Sequence, residues 1–258
     1  MRGLLLLFPQ QIHLTCLSHG IHRTAEAVRV AFPKADKFIS CVKKIYKKSP
    51  KRINLFRTSH PEVPLPPSPI VTRWGSWLSA SFYFAKYHGA IAESVMELNE
   101  ADSDAIKQAK RLLEDKSLQS DFAFISTHFA VIPPAIEALE ARGKPLIRSL
   151  KTVEGLRTSL AEVPGPIGGE VSRKLETILS KNPGYGAVKS IGDALEGKSP
   201  RTEFPPQFIG EFSHAPLTSA EVERTFSTLK NILTDRRMNL TNEHLKWYLV
   251  LSATCNDD

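Results

Sequence analysis

The chain has 258 residues, of which 41% are hydrophobic and 24% are charged, a composition typical of a globular protein with a sizeable core. It contains no run of 18 apolar residues, so we expect no membrane span. The cysteines Cys16, Cys41 and Cys255 are widely spaced and odd in number, which argues against a disulfide framework and fits a reducing compartment.

The positive charge of the chain is concentrated near its beginning. The formal net charge is +7, and residues 1–73 contain 13 of the 34 Lys/Arg residues but only 3 of the 27 Asp/Glu residues. A basic block of this kind can bind nucleic acid by displacing counterions from phosphates. A solvated helix face explains the same pattern, so both interpretations stay open.

The first elements in chain order are an apolar run and two helices. Residues 3–9 are apolar but lack a small-residue cleavage site after them, which favours a buried strand or a truncated gene model over a signal peptide. Apolar residues at spacings of three and four predict a helix over residues 20–32 and a second over residues 36–48.

The second predicted helix opens a basic stretch that runs over residues 43–57 with seven Lys/Arg residues and no acid. Tyr46 and Phe56 are interleaved with these charges, so that base stacking is an option. The basic side of the helix carries four lysines: Lys43, Lys44, Lys47 and Lys48.

A proline-rich segment over residues 59–69 follows, and its five prolines predict a stiff, non-helical connector. Residues 70–74 are short and β-prone, which predicts a buried strand that leads into a helix.

The remainder of the chain is predicted to be mostly helical. The expected helices cover residues 77–98, 103–114, 118–140 with a kink or break at Pro133 and Pro134, 146–162 and 169–179. A loop is expected over residues 197–215, and a last helix over residues 242–254.

Another helix is predicted to start at Thr218. Thr218 and Glu221 match a capping box, which explains Glu221 without a catalytic role. The residue pattern alone predicts for Glu223 a surface salt bridge with Lys230 or Arg224. The helix is expected to bury an apolar stripe: Val222, Phe226, Leu229 and Leu233.

Cys16 and His19 form a Cys-x-x-His pair. A zinc site needs four ligands, usually from two such pairs, and the other cysteines have no partner at ligand spacing. The spacing therefore favours a buried cysteine and a structural histidine over a zinc site.

Three separated stretches resemble motifs of the hAT transposase superfamily. Cys16 and His19 are spaced as in its Cys-x-x-His motif, and residues 72–77, Thr-Arg-Trp-Gly-Ser-Trp, resemble its Thr-Arg-Trp-x-Ser motif. Residues 216–227, Pro-Leu-Thr-Ser-Ala-Glu-Val-Glu-Arg-Thr-Phe-Ser, are similar to its C-terminal dimerisation signature. The three matches occur in the order and spacing of the family and cover almost the whole chain.

The resemblance implies a mainly α protein with a small β component, in which a truncated RNase H-like α/β core is interrupted by a helical insertion. It implies a partial core with the basic helix over residues 1–77, the insertion over residues 78–215, and a dimerisation-type region over residues 216–258 that completes the core.

The resemblance also implies site residues. The family uses two aspartates and a glutamate to hold two magnesium or manganese ions, and the glutamate maps to Glu223. Both aspartates precede the Cys-x-x-His motif in the family, and no counterpart is present here, so we expect no complete metal site and no cofactor for this chain. Cys16, His19 and Arg73 are implied to lie near DNA, and Trp74 either faces DNA or packs in the core.

These observations predict a transposase-derived nuclear protein that binds DNA and self-associates but is catalytically incomplete. A fragment of an active hAT transposase whose aspartates lie outside this chain is the first alternative. The second alternative is a helical interaction module without a nucleic-acid role, against which the basic first third of the chain weighs.

Overall fold

The computed structural model describes residues 11–47, 49–70, 74–198 and 204–232, together with positions 241, 243, 244, 246 and 247. In this part of the chain every regular element is a helix. The α-helices are α1 (Leu17–Ala31), α2 (Pro33–Tyr46), α3 (Pro50–Ser59), α4 (Trp74–Lys86), α5 (His88–Met96), α6 (Asp104–Leu113), α7 (Ser117–His128), α8 (Ile132–Glu140), α9 (Leu146–Ala161), α10 (Gly165–Ser180), α11 (Tyr185–Leu195), α12 (Pro206–Glu211) and α13 (Ala220–Ile232). Short 3₁₀ turns occupy Glu100–Asp102 and Phe212–His214.

The predicted RNase H-like α/β core is therefore wrong for the described residues, which contain no strand and no sheet. The expected strand near residue 70 illustrates the reason. Ile70 is 54% exposed and irregular, whereas a buried strand would cover it, and the chain is already helical at Trp74. The mainly α part of the expectation is confirmed. Residues 71–73 and the apolar run over residues 3–9 lie outside the described residues.

Prolines mark where several of these helices begin. The first turns of α2, α3, α8, α10 and α12 each contain a proline, where the missing backbone N–H would have no intrahelical partner in any case. The predicted break in the helix over residues 118–140 is confirmed, because Pro133 and Pro134 start α8 after α7 has ended at His128.

Helix α1 lies at the centre of the packing and contacts α4, α8 and α10, while α2 packs on α6 and α4 packs on α7. Phe38, Phe84 and Phe122 join three of these helices, with ring centroids 5.5–6.0 Å apart. Buried residues from Leu17 to Leu217 belong to one hydrophobic core, so segments far apart in the sequence are stabilised together.

The structure divides the helical region more finely than the sequence pattern predicts. The helix expected over residues 77–98 is two helices, α4 and α5, and helices α11 and α12 were not expected. The helix expected over residues 242–254 lies almost entirely outside the described residues.

Within the described residues, no single helix is long and apolar enough to cross a bilayer. Helices α7 and α8 together have the length and apolar composition of a span, but a 42° bend separates them.

Candidate functional site

The beginning of α1 and the beginning of α13, about 200 residues apart in the chain, meet in space. The Leu17 backbone N–H donates to the Leu217 carbonyl over 2.9 Å, and the Ser219 backbone N–H donates to Cys16 Sγ over 3.2 Å. Both leucines are buried, so this junction is part of the core and fixes the polar side chains beside it.

The polar side chains at this junction are Cys16, His19, Ser219 and Glu223, which we call the junction cluster. The Ser219 hydroxyl donates to Glu223 Oε1 over 2.5 Å, and His19 Nδ1 lies 3.7 Å from the same oxygen. The His19 and Glu223 side chains are 61% and 56% exposed, so solvent reaches the cluster. Two of the predicted site motifs, Cys-x-x-His and Ser-x-x-x-Glu, are thus brought together.

The local geometry differs from the capping box expected at Thr218. Helix α13 begins at Ala220, so Ser219 precedes it, and the Glu223 backbone N–H donates to the Ser219 carbonyl over 3.0 Å. The Glu223 carboxylate faces Ser219 and His19, rather than only the surface cations that the sequence suggested.

A second set of contacts ties α13 to the end of α8. Arg224 donates to the Glu140 carbonyl over 2.9 Å and pairs with Glu221, which Arg142 also contacts. The Glu140 carboxylate accepts a hydrogen bond from the Ser18 hydroxyl and lies 3.8 Å from His22 Nε2. The start of α13 is therefore held by both α1 and α8.

Cys16 and His19 shift each other's protonation. Burial opposes ionisation of the Cys16 thiol, but hydrogen bonds with Ser219 and His19 outweigh it and lower the thiol pKa below its ordinary value. The hydrogen bond with Cys16 raises the pKa of the His19 imidazole; burial opposes this rise, and the charges of Cys16, Glu223 and Glu140 add to it. Each group therefore stabilises the charged form of the other, which makes the Cys16 thiol more reactive towards electrophiles than an unperturbed thiol.

A cleft of about 410 Å³ opens beside the junction cluster, between α1 and α10. Gly20 permits the close crossing of these helices, because a Cβ atom added there would lie 2.8 Å from Ile178 Cγ2. At one end of the cleft, the Asn182 side chain accepts from the Thr15 N–H over 3.1 Å and donates to the Thr15 carbonyl over 2.8 Å. We call this space the α1–α10 cleft.

The basic stretch forms a second surface of interest on α2 and α3. Lys44, Lys47, Lys51 and Arg57 are exposed, and within the described part of the chain no carboxylate forms an ion pair with any of them. We call these four residues the α2–α3 basic surface. Lys48, predicted to share it, lies outside the described residues.

Three other predicted members of this surface serve the fold. Lys43 is half-buried and its Nζ donates to the Pro69 carbonyl over 2.7 Å, which holds the proline-rich connector. Tyr46 and Phe56 are buried with ring centroids 5.5 Å apart in an edge-to-face contact. Base stacking on these two rings, which the sequence left as an option, does not fit the structure, since both rings are covered by protein.

The remaining predicted site residues are not tested by geometry. Arg73 lies outside the described residues, and Trp74 is described only as the first residue of α4. Among the described side chains, no group of three or more His, Cys, Asp or Glu residues is placed to hold a metal ion.

The apolar stripe predicted for α13 is only partly buried where the structure describes it. Val222 and Phe226 are 55% and 58% exposed, and Leu229 is half-buried. The burial of Leu233 lies outside the described residues.

Sequence reasoning missed the residues of α10 that complete the α1–α10 cleft, as well as Arg23 on α1. His19 and Arg23 are four residues apart and so share a face of α1, whereas Lys174 lies on α10 and Lys181 directly follows its last residue. The spacing of His19 and Arg23 could have indicated a polar face of α1, but only the packing of α1 on α10 shows that Lys174 and Lys181 lie next to it.

Comparisons of this chain with protein-family models, with curated proteins and with solved structures gave no match. Its function therefore has to be inferred from the chemistry of its own residues.

Proposed function

We propose that this chain is a transposase-derived nuclear protein that binds nucleic acid through the α2–α3 basic surface. One observation carries the proposal: the four cations of this surface are exposed and have no carboxylate partner among the described residues. Elsewhere in the protein, cations such as Arg29, Lys34 and Arg157 pair with nearby acids.

Unpaired cations on neighbouring helices suit a phosphate backbone. The ring contact between Tyr46 and Phe56 and the bond from Arg52 to the Ile45 carbonyl, 3.2 Å long, fix α3 against α2. The charges are thus carried by two rigid elements. Contacts of this kind release counterions and weaken with salt by a logarithmic slope of about −0.9 per neutralised phosphate of duplex DNA.

The junction cluster supports descent from a hAT-like transposase. Two of the three stretches that carry the resemblance lie about 200 residues apart, and their Cys16, His19 and Glu223 side chains share one cluster. We propose that Glu223 corresponds to the family's catalytic glutamate. Because the two aspartates have no counterpart in this chain, we expect no DNA cleavage by this chain alone.

Self-association through α13 is a second proposal, and it is favoured by the exposure of Val222 and Phe226. Exposed large apolar side chains close together on one helix are typical of a contact surface. Sedimentation equilibrium of the whole chain measures this directly, and a strictly monomeric protein at micromolar concentration would contradict it.

The test of nucleic-acid binding is a charge reversal at two exposed lysines. We expect Lys44→Glu/Lys47→Glu to weaken the binding of short duplex DNA by at least about tenfold at low salt, because two attractive contacts become repulsive. Fluorescence anisotropy of labelled DNA measures the affinity.

The matched control is Lys116→Glu/Lys189→Glu, which makes the same change in net charge at two exposed lysines elsewhere. We expect this variant to keep most of the affinity. An equal loss in both variants would mean that only net charge matters, and an unchanged affinity in Lys44→Glu/Lys47→Glu would favour a helical interaction module.

A further inference from the structure

The α1–α10 cleft is lined by an unusual set of charges. Arg23 from α1, Lys174 from α10 and Lys181 just after the end of α10 line it together with His19, whose pKa is raised by its bond with Cys16. No aspartate or glutamate is among its described lining residues, and none of the three Lys/Arg side chains forms an ion pair in the described part of the chain.

Collecting like charges around one concave space is unfavourable unless an anion offsets them. The close crossing of α1 and α10 at Gly20 and the Asn182–Thr15 hydrogen bonds fix the backbone positions from which these cationic side chains extend. A bound anion would therefore stabilise the cleft, and the cleft is preorganised to receive it.

We propose that the α1–α10 cleft binds a phosphate group. Phosphate carries several acceptor oxygens, which match the planar guanidinium of Arg23 and the two ammonium groups of Lys174 and Lys181. The exposed Thr15 hydroxyl offers one more donor at the rim. This site is separate from the α2–α3 basic surface and does not depend on it.

The phosphate can come from inorganic phosphate or from a nucleic-acid backbone. The rate of Cys16 alkylation, measured with each of the two as a probe, distinguishes these sources. Cys16 lines the same cleft, so an occupied cleft shields its thiol. The rate at which iodoacetamide alkylates Cys16 is followed by mass spectrometry of its peptide, which separates it from Cys41 and Cys255. Sodium chloride holds the ionic strength constant.

With saturating inorganic phosphate, we expect alkylation of Cys16 to slow by about fivefold, as for a site occupied most of the time. Arg23→Gln/Lys181→Gln should abolish this protection; both side chains are exposed, so the fold should be retained, and circular dichroism checks it. Lys151→Gln/Lys189→Gln, which removes two cations from another cleft, should keep it.

Protection by inorganic phosphate that depends on Arg23 and Lys181 supports the proposal. Protection by a short oligonucleotide alone, with the same dependence, also supports it and identifies the nucleic-acid backbone as the source. Protection by neither probe, or protection that persists in Arg23→Gln/Lys181→Gln, overturns it. A rise in the midpoint of thermal unfolding with phosphate is a second readout that does not involve the thiol.

Discussion

Two clefts of this protein contain three Lys/Arg side chains each but differ in how those charges are compensated. The cleft between α9 and α11, about 260 Å³ in volume, is lined by Lys151, Lys189 and Lys198 and also by three acids: Glu154, Asp193 and Glu196. Glu196 lies 2.6 Å from both Lys151 and Lys198, and their hydrogen bonds lower its pKa. Among the described residues that line the α1–α10 cleft there is no aspartate or glutamate, and the nearby Glu223 contacts only its His19.

The difference shows that a count of basic residues does not identify an anion site. Cations that are already paired with carboxylates gain little from a phosphate, because a new contact has to replace an existing one. Cations without a partner gain the full interaction. The same criterion separates the α2–α3 basic surface from the paired cations elsewhere in the described structure.

The largest expected effect concerns the helix crossing that shapes the α1–α10 cleft. Gly20→Val places a branched side chain against Ile178, whose Cγ2 atom can move away only by rotation about the Cα–Cβ bond, a stiff torsion in a β-branched side chain. We expect a loss of about 2 kcal/mol in the free energy of unfolding, within the range of overpacked cores. Denaturant unfolding measures it.

The control is Gly155→Val, at an exposed helical glycine where an added Cβ would meet nothing within 4 Å. This change should leave stability within about 0.5 kcal/mol of the wild type. Equal stability of the two variants would mean that α1 and α10 do not cross as closely as the structure places them.

The next effect concerns the reactivity of two thiols, Cys16 beside the α1–α10 cleft and the buried Cys41 on α2. Hydrogen bonds lower the pKa of Cys16, while burial raises the pKa of Cys41 despite the charges of Lys37 and Lys44. Because the thiolate is the nucleophile, Cys16 gains its reactive form at a lower pH. We expect its alkylation at neutral pH to be at least about tenfold faster than that of Cys41.

The pH profile of alkylation tests the cause of this difference. In His19→Asn, the profile of Cys16 should move to higher pH, since the imidazolium that favours the thiolate is gone. A profile that stays in place would show that His19 does not act on Cys16.

The smallest expected effect comes from a substitution that makes the charges of the α9–α11 cleft more like those of the α1–α10 cleft. Glu196→Gln removes the acid that pairs with both Lys151 and Lys198, and Glu154 and Asp193 remain as the acids of this cleft. We expect phosphate to raise the midpoint of thermal unfolding of this variant by about one degree more than that of the wild type, because Lys151 and Lys198 no longer pair with the Glu196 carboxylate and can contact phosphate. Identical responses would show that uncompensated charge alone does not create an anion site.

The sequence predicted much of this protein's helical content but not the way its faces meet. The periodic apolar residues of α1 and α2 and the prolines of α8 are local signals, and the helices lie close to where these signals place them. At the two described ends of the predicted strand, Ile70 is exposed and Trp74 is helical, because β-branched residues show only a weak preference, which tertiary context overrides.

The site was predicted in part. Cys16, His19 and Glu223 were named from motifs, and the structure brings them together. The roles of Lys174 and Lys181 could not be predicted, because they depend on which helix packs against α1, a long-range contact that no local pattern encodes. The covering of Tyr46 and Phe56 escaped prediction for the same reason.

The central claim is that unpaired cations of the α2–α3 basic surface bind nucleic-acid phosphates. Its most direct test is the salt dependence of duplex DNA binding by the whole chain and by Lys44→Glu/Lys47→Glu. The account predicts a wild-type slope of log affinity against log salt of about −3, from three to four neutralised phosphates, and a clearly shallower slope in the variant. A wild-type slope near zero, or the same slope in both proteins, would contradict it.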